Sequence, residues 1–223
     1  MSERRETMAT RTLTKTETAR VVNATVHLDA KGGQGVLVPG GFILTAAHCI
    51  SWNGEGGMAM GDHILESVTT KSRARFQVGP LAVDPVSDIA VLGSLDDQTF
   101  PDDCDAFEEW REATPGVPVA STTPRHRAPL GVHILTHKGK WTAARIVRYA
   151  PGRVQGGCLC IEADDRIEGG TSGGPVLDSS GRLVGVISHS GETAIRGKYV
   201  GALPIAHLAL PRWTWLLIRS GGR

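Results

Sequence analysis

The chain has 223 residues, including 28 glycines and 12 prolines, and a formal net charge of +1. That length suits one large domain or two tightly packed small ones, and the turn-forming content favours short strands over a helical bundle. The balanced charge excludes a strong field, so neither nucleic acid nor membrane is expected as a partner.

The first stretch, residues 1–20, is polar and reads as a flexible tail. It has no apolar run for a secretory leader, and no later run is long enough to span a bilayer, so a cytoplasmic protein is expected. Short β-like runs follow. Val21–Leu28 alternates in part, and Gly35–Val38 and Phe42–Thr45 flank Pro-Gly-Gly as a hairpin. Arg73–Val83 and Ile89–Leu92 complete a first β-rich half over residues 21–100. Residues 101–116 read as a linker, acidic and turn-rich, with a short helical stretch at Ala106–Ala113. A second half, 117–204, carries Val132–His137, Trp141–Tyr149, Cys158–Ile161, Pro175–Leu177, Leu183–Ser188 and Lys198–Leu203. Residues 205–223 have helical spacing, which Pro211 should break or kink.

Cys49, Cys104, Cys158 and Cys160 lack the neighbouring ligands that a zinc site requires, and read as buried, reduced thiols. His126, His133 and His137 lie close in sequence without a third ligand of known geometry, and read as ordinary surface or barrel histidines.

Three segments carry chemistry. Leu44-Thr45-Ala46-Ala47-His48-Cys49 ends an apolar strand on a histidine. Ser87-Asp88-Ile89-Ala90-Val91-Leu92 puts a carboxylate at the mouth of another. In Glu168-Gly169-Gly170-Thr171-Ser172-Gly173-Gly174-Pro175-Val176, glycines let the backbone turn sharply around an exposed serine. Acyl transfer needs a nucleophile, a base and a group that orients the base, together with donors aimed at the developing oxyanion. His48, Asp88 and Ser172 supply the first three, and the amides of Gly170 and Ser172 are candidates for the donors.

These segments resemble the three signatures of trypsin-like serine peptidases, in that family's order and about 40 and 84 residues apart. The resemblance covers residues 21–210 and extends to the bacterial members, including the high-temperature-requirement group. It implies an all-β, chymotrypsin-like fold of two six-stranded antiparallel barrels with a C-terminal helix. It also implies a serine endopeptidase acting on polypeptides, with Ser172 as nucleophile, His48 as base and Asp88 as orienter. Ser188 and Ser190 would lie on the strand that pairs with substrate, and the chemistry needs no cofactor or metal. An activating or regulatory protein, or an attached domain, would be the means of control.

The sequence departs from the pattern in three places. Digestive trypsins carry an aspartate before the nucleophile, where this chain has Thr171. Activation by cleavage after Arg20 is therefore not expected. Secreted relatives pair the cysteine after the histidine with one about sixteen residues upstream, and no cysteine precedes Cys49. Arg166 stands where trypsin specificity uses an aspartate, and would favour an acidic side chain if it faced the pocket. Two other readings compete: a catalytically silent peptide-binding module on this fold, and an α/β-hydrolase esterase with a Gly-x-Ser-x-Gly elbow. The second needs an acid and a histidine on later strands, within the 51 residues after Ser172.

Overall fold

In the computed structural model, which describes residues 11–51, 65–122, 130–147, 158–190, 194 and 197–221, the first described element is a helix. Helix α1 spans Lys15–Asn23. Thr14 caps it, and Glu17 reaches back to the cap in a capping box. The alternation expected from Val21 starts only at Thr25, because the cap propagates helix through Val21, which is buried.

Strands β1 (Thr25–Leu28), β2 (Gln34–Val38), β3 (Phe42–Thr45), β4 (Glu66–Thr70), β5 (Arg75–Asp84) and β6 (Ile89–Gly93) follow. They close a barrel in the order β1-β2-β3-β6-β5-β4. Every residue of β2, β3 and β6 is buried, so these strands are largely apolar, with Gln34 and Thr45 as buried polar residues at the end that faces the site. Strand β4 was not expected, since its sequence Glu-Ser-Val-Thr-Thr hides the alternation in polar side chains. The expected linker contains α2, a full helix over Pro101–Ala113. Pro101 opens it, Asp102 and Asp103 complement its N-terminal dipole, and Phe107 and Trp110 are buried one turn apart. Both rings meet Phe76 of β5, with centroids 5.7 and 5.6 Å away.

The second half holds β7 (Leu130–Leu135), β8 (Trp141–Val147), β9 (Cys158–Ala163), β10 (Pro175–Leu177), β11 (Leu183–Val186), β12 (His189–Ser190) and β13 (Tyr199–Pro204). They form a seven-stranded sheet in the order β11-β10-β7-β8-β9-β13-β12, not a closed six-stranded barrel. The sheet curls until β11 meets the end of β13, but an isolated Gly185–Ile205 bridge replaces a ladder there. The antiparallel topology leaves no room for the βαβ units of an α/β-hydrolase. Pro211 separates α3 (Ala206–Ala209) from α4 (Arg212–Ser220), as expected. Among the described residues, no helix is long and apolar enough to cross a membrane.

Candidate active site

Barrel register brings the first two candidates together. Thr45 of β3 pairs with Ala90 of β6, so the chain leaving β3 and the chain entering β6 lie at the same barrel end. His48 sits there in a short 3-10 turn, and Asp88 sits just before β6. His48 Nδ1 lies 2.9 Å from Asp88 Oδ2 and 3.1 Å from Oδ1, and the His48 amide donates to Oδ1 at 3.0 Å. Asp88 holds a left-handed backbone, φ 55°, uncommon for a residue with a side chain. Such strain persists where the surroundings over-determine it, and here three donors fix the carboxylate. The third is Ser188, whose hydroxyl donates to Asp88 Oδ2 at 2.5 Å.

These bonds set the charges. Burial works against ionised Asp88, but the bonds from the His48 ring, the Ser188 hydroxyl and the His48 amide outweigh it and hold the carboxyl below its ordinary value. The Asp88 bond, followed by the Cys49 side chain, outweighs burial at His48 and pushes its pKa up to about 10.

Ser172 reaches the same cleft from the other half. Its carbonyl accepts from Gln34 N–H at 2.7 Å, which ties the serine loop to β2. A Cβ on Gly173 would stand 1.9 Å from the Gln34 carbonyl oxygen, so only glycine permits this approach. Thr171 N–H donates to Glu168 O, and Gly173 N–H donates to Ile187 O. The amides of Gly170 and Ser172, which alternate with these, make no backbone hydrogen bond among the described residues. Gly170 has φ 85°, which with the Glu168–Thr171 bond defines a type II turn. Among the described residues, the hydrogen bonds of the His48 side chain go to Asp88 and none joins it to Ser172.

A cleft of about 380 Å³ is lined by His48, Asp88, Ile167, Gly169, Ser172, Ser188, His189 and Ser190. A larger cavity of about 460 Å³, beside Arg20 and Trp110, is lined by none of His48, Asp88 and Ser172. Ser190, on β12, donates to Ile167 O at 3.0 Å and pairs with Gly201 of β13; among the described residues β12 is an edge strand with no partner on its outer side. Arg166 is exposed and is not among the cleft-lining residues; it lies close enough to Glu168 to favour that group's charge. Three contacts had no local sequence signal: Ser188 on Asp88, Gln34 behind Ser172, and His137 beside Thr171 and Gly170. His133, by contrast, binds the Arg11 carbonyl, and His126 lies outside the described residues. Cys49, Cys104 and Cys160 are free thiols, while the Cys158 side chain lies outside the described set.

The family model of the trypsin-like peptidase domain matches residues 33–186. Among curated proteins, none matches the chain in sequence. The active form of the Rv3671c protease from M. tuberculosis is a similar solved structure, with 22% identity, TM-score 0.55, and coverage of 86% of this chain and 80% of that one. A serine endoprotease from Yersinia pestis shares 21% identity, with TM-score 0.54 and coverage of 94% of this chain and 68% of that one. At that identity the structures share the fold, and the family rests on the domain match that spans the His48, Asp88 and Ser172 segments: the chain belongs to the trypsin-like peptidase family of serine proteases.

Proposed function

We propose that the chain is a serine endopeptidase that cleaves polypeptides through an acyl-enzyme on Ser172. The observation that carries this reading is the His48–Asp88–Ser188 hydrogen-bond chain, which lines one cleft with Ser172. His48 in its neutral form takes the Ser172 proton at Nε2 as Oγ attacks the scissile carbonyl. Asp88 accepts from Nδ1–H and stays ionised, which stabilises the imidazolium. The Gly170 and Ser172 amides, which make no backbone hydrogen bond among the described residues, donate to the developing oxyanion. His48 then protonates the leaving amine, and a water deprotonated by His48 hydrolyses the ester. The substrate backbone adds to the open edge of β12, beside Ser188 and Ser190.

The test is hydrolysis of internally quenched peptides by the wild type and Ser172→Ala. Cleavage by the wild type alone supports the reading. Binding without cleavage by both would instead favour a silent peptide-binding module.

A further inference from the structure

Gly169 and Gly170 are the two central residues of the turn closed by Thr171 N–H and Glu168 O. Type II and type I turns differ by a flip of the peptide between those residues. With glycine at both positions, local sterics penalise neither form, so the orientation of the Gly170 amide must be decided from outside the turn.

One side chain stands where it can decide. The His137 ring packs on Gly170: a Cβ built there would lie 3.4 Å from Cγ and 3.5 Å from Cδ2 of the ring. The His137 amide and Nδ1 approach Thr171 Oγ1 at 3.4 and 3.5 Å, the outer limit of hydrogen bonding, so ring packing is the stronger contact. Thr171 is fully buried.

His137 is held in turn by a hydrogen-bonded hairpin loop between β7 and β8. Thr136 N–H donates to Lys140 O at 2.9 Å, Gly139 N–H to Thr136 O at 2.8 Å, and Lys140 N–H to Thr136 Oγ1 at 3.2 Å. Lys138 pairs with Glu168 at 2.5 Å and Lys140 with Asp165 at 3.0 Å. All four charged groups are exposed, so these pairs align the hairpin with the serine segment more than they hold it.

We propose that His137 is a positioning residue for the oxyanion turn, and that the hairpin presenting it does the ordering that Thr171, lacking a carboxylate, cannot do through an N-terminal ion pair. The role rests on the acyl-transfer reading of Ser172. His137 touches no substrate; it acts through the Gly170 amide.

The test compares wild type, His137→Ala, His137→Gln and His137→Phe, with thermal midpoints recorded for each. The readouts are kcat and KM on a quenched peptide and inhibition by a peptide boronate and by the product peptide. The alanine variant, and glutamine as a volume-filling control without a ring, should lose at least tenfold in kcat with KM within twofold. Boronate affinity should fall by the same factor and product affinity should hold, while phenylalanine, which keeps a planar ring, should stay within about threefold of wild type. Wild-type kcat in both ringless variants, or equal losses in phenylalanine and alanine, would overturn the assignment. A wild type inert to both peptide and fluorophosphonate would instead overturn the acyl-transfer reading beneath it.

Discussion

Gln34 N–H donates to the Ser172 carbonyl at 2.7 Å, which joins the closed barrel to the serine loop of the second sheet. Gln34 is itself buried, and Thr45 Oγ1 donates to its carbonyl at 2.7 Å. The position of the serine therefore depends on barrel strands more than 125 residues earlier in the chain, Thr45 being 127 before Ser172.

Gly173→Ala tests that seam. The added methyl would meet the Gln34 oxygen at 1.9 Å and Thr45 Oγ1 at 2.4 Å, in a backbone with φ 76°. Overpacking together with a left-handed alanine should cost about 2–4 kcal/mol. Denaturant unfolding should show that loss, and a folded remainder should label poorly at Ser172. Wild-type stability and labelling would show that the seam yields freely.

Asp88→Asn should lower turnover by roughly 10⁴-fold, because the amide holds the wrong imidazole tautomer. Near wild-type turnover would remove Asp88 from the mechanism. Ser188→Ala removes one of the bonds that keep Asp88 ionised. A carboxylate with a depressed pKa stabilises the fold above its unfolded value, and that contribution is lost as pH falls through the folded pKa. The gap in thermal midpoint between wild type and Ser188→Ala should therefore be widest above about pH 4 and close toward lower pH. A gap independent of pH would mean that Ser188 acts by packing alone.

Much of this site was legible because each signature is local: a histidine ending one apolar strand, an aspartate starting another, a serine among glycines. Pairing of β3 with β6 then brings His48 to Asp88 without further instruction. The longer-range parts were not legible. Ser188 reaches Asp88 across 100 residues, and His137 reads as an ordinary surface or barrel histidine until the fold sets it on Gly170. Helix α1 and strand β4 were missed for a different reason, since polar residues cap the one and mask the alternation of the other. The cysteine count pointed to a real neighbourhood, since sixteen residues before Cys49 lies Gly33, where a Cβ would stand 2.7 Å from Cys49 Sγ.

The pH–rate profile should rise late. With its pKa near 10, His48 is mostly protonated at neutral pH, and only the neutral ring accepts the Ser172 proton. The kcat/KM should climb well above the ordinary histidine value of 6.5. The same pairing stabilises the fold fully below that value and loses its contribution as pH rises through about 10, so activity and stability should move oppositely. A plateau already reached at pH 7 would contradict this charge state.

Cleavage after Arg20 should not activate the protein. Val21 is buried within α1, and Thr171 offers a freed ammonium no carboxylate. Peptide hydrolysis before and after cutting at an engineered site there should not rise, and a large gain would restore an N-terminal switch.

The most direct measurement is intact mass after reaction with a fluorophosphonate, in the wild type and Ser172→Ala. The account predicts one adduct on the wild type and none on the variant, since only an activated serine beside a competent oxyanion hole reacts. An unlabelled wild type, or equal labelling of the variant, would contradict the assignment of Ser172 as nucleophile.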